Sequence, residues 1–164
     1  MTRRLTLIRH AKSSWSDHYA DDHGRGLSDR GITSAKALGA WIAQKGYIPD
    51  LILCSDAMRT VQTTTLLLEG MEAEVDVKEI STLYLAAPQT IIDIAAATQG
   101  SNVAVVGHNP GIGIAAEMLL SAPPDHGRFA DYPTGATTVI DFPDDQWCKP
   151  NAGTATAFAV PREI

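Results

Sequence analysis

Four residues carry side chains suited to holding an anion and attacking it: Arg9, His10, Arg59 and His108. Arg9-His10 follows the apolar run Leu5-Thr6-Leu7-Ile8, and Arg59 comes shortly after Leu51-Ile52-Leu53-Cys54. His108 follows Gly107 at the end of Asn102-Val103-Ala104-Val105-Val106. Apolar and β-branched runs of this length predict buried strands. In a parallel sheet the C-terminal strand ends share one edge, where open α/β folds bind ligands. The three insertions therefore converge, although they lie far apart in the chain. Two guanidiniums and two imidazoles repel one another unless an anion fills the space between them. Guanidinium presents a planar donor fork that matches phosphate oxygens. A neutral imidazole with one N–H held by a backbone carbonyl keeps a lone pair on its other nitrogen, free to attack phosphorus in line. The second imidazole, in its protonated form, and the arginines then stabilise the charge that builds on the equatorial oxygens. That arrangement calls for no metal and no cofactor.

Each residue taken singly has a plainer reading: a satisfied edge histidine, a surface ion-pair partner, a solvated helix residue. Their common position after predicted strands is what favours one shared site. Two other clusters compete with it. Asp17, His18, Asp21, Asp22 and His23 suggest metal ligands, but they fall in one polar loop, and no second cluster completes a coordination shell. Cys54 beside Ser55 suggests a nucleophile but lacks a glycine-rich anion cradle. With Cys148 it reads as a free thiol, since the spacing fits neither a metal knuckle nor a redox motif.

The elements that position these residues alternate. After the first strand, residues 11–27 read as a polar loop. Ser28 caps a helix over about 30–45, with Ile32, Ala35, Leu38, Gly39 and Ile42 on its apolar face and Gly46 as its stop. Ser55 is the expected N-cap of a helix over about 56–69 that Gly70 ends, placing Arg59 in its first turn. Glu74-Val75-Asp76-Val77 alternates like a strand with one wet face. Pro88 opens the next helix, and an apolar helix after Gly111 runs through Leu120. Residues 121–135 have no regular period. Thr137–Phe142 and Thr154–Val160 read as two closing antiparallel strands. Alternation over residues 4–120 predicts an α/β three-layer sandwich, a mainly parallel central sheet with helices on both faces.

The chain has 164 residues, 45% hydrophobic and 20% charged, which suits one globular domain spanning 1–164. Its net charge of −6 disfavours general binding to nucleic acid or an anionic membrane. No apolar run approaches a membrane span. His10 comes too early for a signal-peptide core, so cytoplasmic residence is expected. No heptad seam appears, and a monomer is the default.

Leu7-Ile8-Arg9-His10-Ala11-Lys12-Ser13-Ser14-Trp15 resembles the opening of the histidine phosphatase superfamily (phosphoglycerate mutase-like), in its small branch of bacterial SixA-type phosphohistidine phosphatases. Arg25-Gly26-Leu27-Ser28-Asp29-Arg30-Gly31, Cys54-Ser55-Asp56-Ala57-Met58-Arg59-Thr60-Val61-Gln62-Thr63 and Val106-Gly107-His108-Asn109-Pro110-Gly111 extend the resemblance over the whole chain. The resemblance implies that His10 is the phosphorylated nucleophile, Arg9 and Arg59 are phosphate ligands, and His108 is the second imidazole. Ser13 and Arg25 become candidate substrate-binding residues, with bracing of the loop an equal alternative for Arg25. Larger relatives place an acid in a long insertion after the third strand. Here Glu79 matches an earlier family glutamate, and Asp17, Asp21 or Asp22 could swing in from the first loop, so Asp17 and Glu79 are the candidate acids. A weak acid handicaps an alkoxide leaving group more than an imidazole, which leaves once protonated near neutral pH. The expected substrate is therefore a phosphohistidine-containing protein, such as a phosphotransfer domain, acting in signal transduction. The alternatives are a small phosphate ester, which would make the chain a metabolite phosphomonoesterase, or a non-catalytic phosphate-binding role. A mutase is disfavoured because no lid is evident.

Overall fold

Side chains along the buried strands point alternately to two faces, and each face has its own apolar core. In the computed structural model, which describes residues 1–164, Leu5 and Leu7 of β1 (Thr2–Arg9) enter one core and Ile8 the other. β2 (Leu51–Cys54) splits likewise, with Leu53 on one side and Ile52 and Cys54 on the other. β4 (Asn102–Gly107) sends Val103 and Val105 one way, Ala104 and Val106 the other. Helices α1 (Asp29–Gln44) and α2 (Met58–Met71) cover the Ile8 face through Leu38, Ile42, Leu67 and Met71. Helices α3 (Pro88–Ala96) and α4 (Gly111–Leu119) cover the Leu5 face through Ile91, Ala95, Ile112 and Leu119.

With β3 (Asp76–Glu79), β5 (Thr137–Pro143) and β6 (Thr154–Ala159), the sheet runs β3-β2-β4-β1-β5-β6. The β3-β2, β2-β4 and β4-β1 pairs are parallel, whereas β1-β5 and β5-β6 are antiparallel. This is the α/β three-layer arrangement the alternation predicts, with the two closing strands at one edge. Register sets the site: Arg9 is opposite Gly107, and Cys54 is opposite Val106. The residues that follow each strand therefore meet at one edge.

Three local expectations need correction. Ser55 does not cap α2. The N-cap is Ala57, which has no side-chain bond of its own, and Ser55 Oγ accepts from the Ala57 N–H at 3.3 Å. Gly70 does not end α2 either. It lies within the helix because a Cβ there would stand 2.1 Å from the Lys36 carbonyl, so α1 and α2 touch through backbone at this point. Glu72, at φ 53°, makes the left-handed stop instead. The β3 ladder is displaced toward the C-terminus of the expected strand, and all four of its residues are exposed. An edge strand with no buried face has little to fix its register. By contrast, Ser28 caps α1 as expected, accepting from the Gly31 N–H at 3.1 Å.

Candidate active site

The end of β1 delivers His10 into the interior, where it is 5% exposed. Its backbone N–H donates to Gly107 at 3.1 Å, and the Ser55 N–H donates to Val106 at 3.1 Å, extending both parallel ladders by one residue. The next N–H, of Ala11, donates to Thr63 Oγ1 at 3.0 Å, and that hydroxyl donates to the Arg59 carbonyl at 2.7 Å. The chain after His10 is thereby fastened to the helix that carries Arg59.

His10 Nδ1 donates to the Ala11 carbonyl at 2.7 Å, which leaves the lone pair on Nε2. The ring centroid of His108 lies 5.4 Å from that of His10. His108 Nε2 is 2.8 Å from Ser55 Oγ. With the Ala57 N–H already directed at that oxygen, the hydroxyl can donate to Nε2, which puts the His108 proton on Nδ1. The Ser55 hydroxyl is thus shared between the N-cap residue of α2 and a residue 53 positions away.

Arg9 donates from Nη1 to the Tyr132 carbonyl at 3.0 Å. Tyr132 is fully buried, sits at φ 43°, and donates its hydroxyl to the Leu7 carbonyl at 2.7 Å. It ties the irregular segment back onto β1. Arg59, 2% exposed, donates to the Asp22 carbonyl at 2.6 Å and to the Asp22 carboxylate at 3.1 Å. Tyr84 and Arg25 bond the same carboxylate. Those bonds, the tyrosine's first, hold Asp22 well below the usual carboxylate range, so it stays ionised in this arrangement. The anion paired with Arg59 is thus supplied within the chain, by Asp22.

Other expected residues fall as follows. Arg25 braces the loop: it bonds Ser13 Oγ and the Asp22 carboxylate, and its guanidinium stacks 3.8 Å from the Trp15 ring. Asp17 is exposed and accepts from the Tyr19 N–H at 3.0 Å. Glu79 is exposed at the end of β3. Neither forms a hydrogen bond or ion pair with the four central residues. His23 pairs with Asp56 at 2.9 Å and packs edge-on to Tyr84, so the loop's acids and histidines point to different partners. Burial pushes the Cys54 thiol up to about 11, so it is protonated at neutral pH and a poor nucleophile.

Six buried side-chain polar atoms have no hydrogen-bond partner, and four of them belong to Arg9 (Nε), Arg25 (Nε), Arg59 (Nε) and His108 (Nδ1). Each such donor costs about 1–3 kcal/mol while unpaired. An acceptor placed among Arg9, Arg59 and His108 would relieve that cost.

Burial also sets the protonation of the imidazoles. It pushes His10 down to about 3 and His108 down to about 4, with Arg59 and Arg9 acting in the same direction on both. Both rings are therefore neutral at neutral pH. An unfolded chain takes up these protons from about pH 6.5 downward, whereas the folded chain refuses them until pH 4 or lower. The unfolded state binds more protons in that window, so stability falls on acidification. The slope approaches about 1.4 kcal/mol per pH unit for each ring. Urea midpoints measured from pH 7 to pH 4.5 should decline less steeply for His10→Gln than for wild type. Equal slopes would contradict the buried neutral His10.

The family profile of the histidine phosphatase superfamily (branch 1) matches residues 5–81, a span that holds Arg9, His10 and Arg59. An uncharacterised Mycobacterium tuberculosis protein is 34% identical over 165 residues, covering 94% of this chain and 100% of its own length. An uncharacterised chloroplastic protein of Arabidopsis thaliana is 37% identical over 137 residues. That match takes in 74% of this chain but only 61% of the plant protein, so the chain spans less than two thirds of that relative. Among solved structures, a candidate phosphohistidine phosphatase SixA from Agrobacterium tumefaciens is 30% identical, with a TM-score of 0.81 over 97% of this chain and 98% of that one. The protein histidine phosphatase SixA complexed with tungstate is 16% identical and shares the fold, with a TM-score of 0.81 over 98% of each chain. Sequence identity over nearly full lengths and the shared three-layer fold agree, and the chain belongs to the histidine phosphatase superfamily, in its SixA-type branch.

Proposed function

We propose that this chain hydrolyses protein phosphohistidine in two steps, through a phosphoryl group carried on His10 and without a metal ion. The observation that carries this reading is the set of buried, unpaired donors on Arg9, Arg59 and His108 facing a neutral His10 whose Nε2 lone pair is free. A phosphoryl dianion supplies the acceptors those donors lack. His10 Nε2 forms a bond to phosphorus as the bond from phosphorus to the substrate imidazole breaks, and the departing nitrogen leaves with a proton. Water then attacks phosphorus and releases inorganic phosphate, returning the electron pair to Nε2. The guanidiniums and His108 Nδ1–H donate to the equatorial oxygens throughout, taking the part a divalent ion plays in other phosphoryl-transfer sites.

Two features support a protein substrate. Asp22, held as its anion, is a poor proton donor, which handicaps an alkoxide more than an imidazole. The loop beside the pocket exposes Trp15 and Tyr19, aromatic surface of the kind that meets protein partners. The test compares kcat/KM on a phosphohistidine-bearing phosphotransfer protein with a panel of phosphate monoesters. The protein should be preferred by about tenfold or more. The opposite preference, of similar size, would point to a metabolite phosphomonoesterase.

A further inference from the structure

A cavity of about 530 Å³ adjoins the phosphate pocket and shares Arg9 with it. Lys12, Arg30, Arg128 and Arg162 also line it, against a single carboxylate, Asp131. Five of the chain's 13 basic residues thus gather around one cavity in a protein of net charge −6. Arg128 is neutralised by Asp131, its ion-pair partner at 3.0 Å. Lys12, Arg30 and Arg162 are exposed, and no hydrogen bond or ion pair within the chain engages their side chains. Arg30 occupies the first turn of α1, where the helix dipole disfavours a cation. Neither folding nor helix stability accounts for these charges.

We propose that this cleft binds an acidic stretch of the phosphorylated protein, carboxylates that flank the phosphohistidine while its phosphoryl group sits at His10. The inference rests on the protein-phosphohistidine reading for the nature of its occupant. Three separate cations on long, flexible stems suit several carboxylates along a chain better than one compact anion. A partner with an acidic flank would be repelled by the overall charge of this protein, and a local positive cleft reverses that field where the partner must dock. Because Arg9 borders both spaces, one ligand can fill them together.

The experiment uses two phosphohistidine peptides that differ only in their flank, Asp/Glu in one and Asn/Gln in the other, with wild type and the double variant R30Q/R162Q. Wild type should show a KM for the acidic peptide lower by about tenfold, the preference should vanish in R30Q/R162Q, and it should weaken as salt rises. Turnover of the neutral-flank peptide should be the same in both proteins, because neither substituted arginine touches the phosphate pocket. Equal KM values for the two peptides in wild type, or a preference that survives in R30Q/R162Q, would overturn the proposal. NMR titration with the unphosphorylated acidic peptide separates this result from the fate of the catalytic reading. Shifts at the cleft residues Lys12, Ser34 and Thr134 that are lost in the double variant support the cleft even if no phosphohistidine is hydrolysed. Should only a bisphosphorylated sugar depend on the two arginines, the acidic-protein occupant is wrong.

Discussion

His10→Ala should lower turnover on the order of 10⁵-fold or more, while the protein stays folded. Nothing else near the pocket can take the nucleophile's place. The His108 ring is turned to Ser55 through Nε2, and its Nδ1 carries the proton in the assignment that satisfies the serine. Cys54 lies beneath the strand end as a protonated thiol that donates to the Ser55 carbonyl at 3.1 Å. Ser55 itself is fully buried and committed to two partners. His10→Gln preserves some of the ring's volume and should be equally inactive, which separates lost chemistry from lost packing. Circular dichroism on both variants checks the fold, and a phosphate-release assay checks the activity. Wild-type turnover by either variant would refute covalent catalysis at His10.

Arg59→Ala should cost about a thousandfold in kcat/KM, the scale of removing a preorganised donor from a buried oxyanion site. The guanidinium is almost fully buried, and its Nε has no partner. It also anchors Asp22 through both its carbonyl and its carboxylate, so the loss would loosen the loop that Tyr84 and Arg25 otherwise retain. Arg59→Lys distinguishes charge from shape. An ammonium keeps the charge but cannot supply the planar fork, and it should recover at most about tenfold of the loss. The deficit should fall mainly on kcat, since the donors gain most as charge accumulates on the transferring group. Full activity in Arg59→Lys, or a loss below tenfold in Arg59→Ala, would show that Arg59 does not grip the phosphoryl group.

How far the sequence foretells this structure depends on whether a feature is encoded locally. Leu51–Cys54, Asn102–Gly107 and Pro88–Ala96 announce themselves through apolar runs, turn residues and a helix-opening proline, and they form where expected. The convergence of Arg9, His10, Arg59 and His108 follows from the same strands, because parallel register brings their ends together. Ser55 misleads because an N-capping serine and a serine that bonds a distant histidine have the same local sequence, and only the tertiary partner separates them. Gly70 misleads for a similar reason: a glycine that lets two helices touch looks like a glycine that ends one. Asp22 and Tyr132, which hold the two arginines, sit in aperiodic segments.

The most direct test is to catch the intermediate. Enzyme is mixed with a phosphohistidine substrate carrying radiolabelled phosphate, quenched in alkali during turnover, and digested for peptide mapping. The label should reside on His10 and should disappear as inorganic phosphate forms. Turnover with no label on the protein, or with label on His108 or Cys54 instead, would contradict attack by His10 Nε2 on a phosphoryl group held between the two arginines.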